Sequence, residues 1–183
     1  MTGILIIVGL LWVKHDGISG GGYQTLELAL AGSLPVRVMV TLCVLKLAAT
    51  VCSYSSGGAG GIFAPALFIG GMLGGAVGYG DVTLLHHSSD SIGAFALVGM
   101  GAVFAGIIRA PMTSVLIIFE MTGGYGLILP LMIANMSAYA LARHWRHMPI
   151  YEALLLQDGV VLPHGKPIIV PAEKAELPGE VPP

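Results

Sequence analysis

Polar positions are sparse and unevenly placed along this chain. Between Leu47 and Ala142 the only Asp, Glu, Lys or Arg residues are Asp81, Asp90, Arg109 and Glu120. They leave long uncharged runs at 47–80, 91–108, 110–119 and 121–142, of 34, 18, 10 and 22 residues. A helix that crosses a bilayer needs about 20 apolar residues, so several of these runs reach across or deep into a membrane. Helical periodicity, bounded by glycine, proline or polar clusters, predicts helices at about 2–13, 23–32, 35–52, 62–78, 92–108, 111–122, 127–142 and 150–157. The predicted fold is an all-α membrane protein, a polytopic bundle of tilted and partial helices. Segments shorter than a full span are tolerated at membrane depth only where their ends are buried in protein or line a wet cavity, which points to a transporter or channel.

Composition sharpens this picture. The chain is 55% hydrophobic and 10% charged with a mean hydropathy of +0.86, against about 25% charged residues in soluble domains. A net charge of -2 supplies no basic patch for nucleic acid, and the six histidines show no metal-ligand spacing, so neither partner is expected. Cys43 and Cys52 lie nine apart in apolar sequence and read as free thiols. The opening "MTGILIIVGLLWVKHDG" lacks a basic region before its apolar run and a small-residue cleavage site after it, and reads as a helix remnant rather than a signal peptide. Arg109, Arg143 and Arg146 mark ends expected to be cytoplasmic, which places the loop "GDVTLLHHSSD" outside. Residues 1–157 read as the transmembrane domain, and the proline-rich, mixed-charge 158–183 as a flexible cytoplasmic tail.

Within the longest uncharged run, "SSGGAGGIFAPAL" at 55–67 places glycines and a proline where lipid favours regular helix. Gly57, Gly58, Gly60 and Gly61 let the backbone turn, and from Ile62 the sequence forms helix, with Pro65 in the first turn where its missing N–H is no loss. The break therefore creates a helix N-terminus. Its first N–H groups have no internal partner and carry the positive end of the helix dipole, so at membrane depth they suit an anion. Partial charges also release an anion more readily than a lysine in low dielectric would. Close packing through small residues is the competing account of such glycines, and it fits "GGMLGG" at 70–75 and "GMGAVFAG" at 99–106. Lys46 is expected to snorkel to the interface. Glu120, an intramembrane acid beside Thr122, reads as a functional residue or as a hydrogen-bonded structural one.

"GGAGGIFAPALFIGGMLG", "GMGAVFAGIIRAPMTSVLIIFEMTGGYGLILPLMIANMSAYALA" and "MPIYEALLLQDG" occur in this order. Together they resemble the second half of the CLC chloride channel and chloride/proton antiporter family, over about residues 20–160. The resemblance implies the second inverted repeat of the CLC fold. It also implies that the backbone amides of Ile62 and Phe63, with the Tyr151 hydroxyl, hold a central chloride. A phenol is a neutral donor on an apolar body, suited to a dehydrated anion, though Tyr151 could also serve as an interfacial anchor. Loops similar to "GSGIP" and "GKEGP", which carry the family's other anion ligands and its gating glutamate, do not occur in this sequence. The implied function is chloride transport, as a voltage-gated channel or a chloride/proton antiporter, by a partial chain that needs the N-terminal half of the transport domain. The implied partners are the lipid bilayer, chloride, that other half, and a second complete subunit in a homodimer. The implied location is the cell membrane, with chloride as ligand and no cofactor. A non-transporting membrane scaffold is the alternative. An intramembrane enzyme is not expected, because Ser55 and Ser56 have no histidine near them in sequence.

Overall fold

A computed structural model of the protein describes residues 21–55, 61–86, 91–146 and 148–157. The chain divides into two compact units, 1–150 and 151–183. The described part of the first contains α1 (Tyr23–Leu30), α2 (Val36–Ser55), α3 (Phe63–Leu85), α4 (Ser91–Ile108), α5 (Pro111–Thr122), a 3-10 turn (Tyr125–Leu127) and α6 (Ile128–Trp145). The second unit is described over most of α7 (Ile150–Gln157), whose first turn carries Glu152, the sign that the helix dipole favours there. The described residues are helical as expected, and the protein has the all-α membrane fold. The predicted helix at 2–13 and the predicted tail lie outside the described residues.

Length and composition let α2, α3, α4 and the stretch Tyr125–Leu156 cross a membrane, whereas α5 is shorter than a span. The spans are apolar all round, as lipid-facing helices must be. On α2, Met39, Leu42, Lys46 and Ala49 are buried, while Val40, Val44, Leu47 and Val51 are exposed on the opposite face. Hydroxyls inside these helices find their acceptors one turn back: Thr41 donates to the Arg37 carbonyl at 2.7 Å, Thr50 to Lys46 at 2.8 Å and Ser137 to Ile133 at 2.7 Å. Such bonds satisfy a polar group without water. Ser114 instead donates across helices, to the Gly101 carbonyl at 3.0 Å, and is buried.

The most extensive packing joins α3 to α4, and the expected glycine faces make it possible. A Cβ on Gly70 would stand 2.6 Å from the Gly99 carbonyl oxygen and 2.8 Å from the Met100 Cα, and one on Gly99 would stand 2.7 Å from the Gly74 Cα. Backbone meets backbone here, so only glycine fits. Gly101 is closed instead by side chains, those of Asn135, Leu131 and Ile118. Asn135 is fully buried; its amide nitrogen donates to the Pro111 carbonyl at 3.4 Å, and its Oδ1 has no partner among the described residues.

Two expectations need correction. The helix predicted at 62–78 runs on to Leu85, through Gly80 and Asp81, and ends at His86 in the left-handed region, φ 56°. Thr83 supports this extra length by donating to the Tyr79 and Gly80 carbonyls at 2.9 and 3.0 Å. All of "GDVTLL", residues 80–85, is therefore helix rather than loop. Lys46 does not snorkel: it is 3% exposed, and its ammonium lies 5.1 Å from the centroid of the buried Phe68 ring, a cation–π distance. Glu120 is exposed near the end of α5. The neighbouring Thr122 hydroxyl donates to the Ile118 carbonyl at 2.9 Å.

The α4–α5 corner is clasped to the end of α6. Arg109 adopts φ 66°, uncommon for a residue with a Cβ, and its Nη2 donates to the Ala142 carbonyl at 2.8 Å and the Arg146 carbonyl at 2.6 Å. One guanidinium thus satisfies the Arg146 carbonyl beyond the helix end and adds a second donor to the Ala142 carbonyl, which also accepts the Arg146 N–H at 3.0 Å. Arg109→Ala is expected to destabilise the protein by about 1.5–3 kcal/mol, the range for hydrogen bonds to charged groups. Arg109→Lys, which keeps a cation and several donors, should lose less. Thermal unfolding in detergent tests the order, and equal stability of all three forms would remove the clasp from the account.

Candidate anion site

The sequence places the site at the start of α3, and the structure shows what that helix start offers. Ile62 is the N-cap, with φ -78° and ψ -21°, and no side chain caps the helix. The N–H of Ala66 is the first to be taken up within the helix, by the Ile62 carbonyl at 3.0 Å. Pro65 has no N–H. The donors at this end are therefore the amides of Ile62, Phe63 and Ala64, and none has a partner among the described residues. Isoleucine is a poor N-cap because it lacks an acceptor for these amides, whereas Ser or Asp would have closed the end.

Burial along α3 shows which way the end faces. Gly61 and Phe63 are exposed, Ile62, Ala64 and Pro65 are intermediate, and burial is complete from Ala66 to Phe68. A Cβ on Gly61 would meet nothing within 4 Å, so this glycine is not held there by close helix packing. Gly57, Gly58 and Gly60 lie outside the described residues. The Phe63 ring packs edge-on against Phe104, with centroids 4.9 Å apart at 81°, which anchors the first residue of α3 to the buried face of α4. The helix start is thus fixed from within the unit and open on its outer side, as one wall of a site would be.

Ile62 and Phe63 stand at this end as expected. Ala64 was missed by sequence reasoning although its signal was present: the residue before a first-turn proline keeps an N–H that the helix does not use. Tyr151 is the second residue of α7 and belongs to the second unit. Cys43 forms no disulfide, as expected, and its thiol donates weakly to the Ile69 carbonyl at 3.8 Å. Among the described residues no cluster of His, Cys, Asp or Glu could hold a metal.

Comparison with known families gives a match to the voltage gated chloride channel over residues 1–143. The chain belongs to this family. Among solved structures, the voltage gated chloride channel fold of this chain is similar to that of a slow cyanobacterial Cl-/H+ antiporter, with a TM-score of 0.63 and 25% sequence identity. The match covers 86% of this chain and 47% of the antiporter chain, so the chain spans about half the length of that relative. The protein is a multi-pass membrane protein of the voltage gated chloride channel family.

Proposed function

We propose that this chain forms one wall of a chloride pathway, as the C-terminal half of a CLC-type transport domain. The observation that carries the reading is the start of α3: three backbone amides without partners among the described residues, at a helix dipole's positive end, beside an open glycine. Chloride is a weakly basic anion that must shed water to pass, and N–H dipoles replace that water without a fixed charge that would hold the ion. Ile62 and Phe63, with Ala64 beside them, are the inner donors in this reading, and the Tyr151 hydroxyl is a further one. The pathway is closed by the N-terminal half of the domain, which brings the remaining ligands and the gating glutamate, and complete subunits pair as a homodimer in the cell membrane. The residues after α7 form a cytoplasmic tail. The protein transports rather than catalyses, and needs no cofactor beyond the ion it carries.

The test is flux in liposomes. The 183-residue chain alone is expected to carry little chloride, and co-reconstitution with a family N-terminal half to restore it. Selective flux by the monomeric chain, or none in any combination that assembles, would contradict the reading. Movement of protons driven by a chloride gradient would identify exchange, and chloride current without it a channel.

Tyr151→Phe keeps the ring and loses the hydroxyl. In the assembled protein, chloride affinity is expected to fall a few-fold, since a net hydrogen bond is worth about 0.5–1.5 kcal/mol, with thermal stability unchanged. Calorimetric chloride titration of both forms checks this, and equal affinities would leave the tyrosine as an interfacial anchor.

A further inference from the structure

Lys46 is the eleventh of the 20 residues of α2, close to the middle of a span, and it is buried. An ammonium at that depth is costly to desolvate, and charges kept inside a membrane mark ion paths or pair with other buried groups. Packing alone does not require it, since an apolar side chain of similar length would fill the same space without that cost. Its neighbours show where the charge is felt. The ammonium lies over the ring of the fully buried Phe68 on α3, 5.1 Å from the centroid. One turn earlier on α2, the Cys43 thiol meets the Ile69 carbonyl, so this face of α2 lies against the first turns of α3. Phe68 is five residues beyond Phe63, about 7.5 Å along the helix axis, which puts the ammonium roughly 10 Å from the amides that open α3. The other charges on these two helices are farther off. Arg37 is exposed, nine residues before Lys46, and Asp81 is thirteen residues beyond Phe68, about 20 Å further along α3.

We propose, resting on the reading of this helix start as the chloride site, that Lys46 is a fixed positive charge that raises the site's affinity for anions without touching them. The Phe68 ring engages the ammonium beside α3, a favourable place for a cation that has left water. At that distance the charge attracts the anion through its field, and the coordination is left to the amides, which release the ion. A lysine in contact would hold it instead. Two unit charges about 10 Å apart, in the effective dielectric of a protein, attract strongly enough to change affinity by roughly five- to fifteenfold.

The test is calorimetric titration with chloride and with bromide, using the protein assembled with a family N-terminal half. Lys46→Met and Lys46→Gln remove the charge, Lys46→Arg keeps it, and a backbone ester at Phe63 removes an amide donor from the site itself. Both neutral forms are expected to assemble and to lose about five- to fifteenfold in chloride affinity. Bromide affinity should fall by the same factor, because a remote charge does not distinguish the two halides, whereas a rearranged site would. The arginine form should stay within about twofold of wild type. If the ester weakens chloride binding and the neutral forms do not, the proposal fails while the chloride site stands. If neither the ester nor the neutral forms bind more weakly, the site reading fails and the proposal with it. Unequal losses for the two halides, or an arginine form as weak as methionine, would make the role of Lys46 one of shape and overturn the proposal. Failure of both neutral forms to assemble would do the same.

Discussion

Gly74→Ala is expected to destabilise the protein severely, although alanine is the better helix former. A Cβ at this position would collide with the Phe95 carbonyl oxygen and stand 3.0 Å from the Gly99 Cα and 3.1 Å from the Ala96 Cα. All three atoms are backbone, so no rotamer change relieves the clash, and α3 and α4 must separate along their most extensive contact. Overpacking a well-filled interior costs about 1–3 kcal/mol, and rigid helices place the effect at the top of that range. For a chain of this size it corresponds to a fall of roughly 6–12 °C in melting temperature. Gly80→Ala provides the matched control. It lies in the same helix, meets nothing within 4 Å, and should gain up to about 1 kcal/mol from helix propensity. Detergent melting curves for the two variants are expected to move in opposite directions. Equal shifts would mean that glycine in α3 does not govern its approach to α4.

The second large effect is expected from removing a single N–H. Proline at position 63 suits the first helical residue, but Ile62 is in the helical region, φ -78° and ψ -21°, a conformation disfavoured before proline. A backbone ester at Phe63, with oxygen replacing the amide nitrogen, removes the donor and leaves the side chain and backbone angles unchanged. In the assembled protein, chloride affinity is expected to fall about ten- to a hundredfold, the equivalent of roughly 1.5–3 kcal/mol for a charge-assisted bond in a water-poor site. Phe63→Leu keeps the N–H and should bind chloride nearly normally, while losing about 0.5–1.5 kcal/mol of stability with the edge-on contact to Phe104. Chloride titration of the ester and leucine forms, with melting curves alongside, separates the two roles of this residue. Equal affinity in both, at equal stability, would show that the amide does not hold the ion.

Much of the architecture is legible in the chain because its local signals are strong. The bounds of α5 follow from Pro111 at its first position and Gly123 after its end, where φ is 62°, the positions at which these residues suit a helix. The far end of α3 is not legible, because Gly80 and Asp81 read as a break in water while a long packed helix carries them through. The burial of Lys46 is hidden for a different reason: a helix that is apolar on all sides gives no periodicity to separate its protein face from its lipid face. The Arg109 clasp depends on a left-handed backbone at a non-glycine residue and on a partner 37 positions away, neither of which a local pattern encodes. At the candidate site, the glycine break, Ile62 and Pro65 together announce an open helix N-terminus. The part of Tyr151 rests on resemblance to the family, since its phenol gives no local sign of what it will face.

The central claim, that the start of α3 holds the transported anion, is tested most directly by locating the ion. Bromide replaces chloride with nearly the same size and scatters anomalously. Crystals of the protein assembled with a family N-terminal half and grown in bromide are expected to show an anomalous peak within hydrogen-bonding distance, about 3.2–3.5 Å for this larger acceptor, of the Phe63 nitrogen. Bromide bound in the assembly with none at the amides of Ile62, Phe63 and Ala64 would contradict the account.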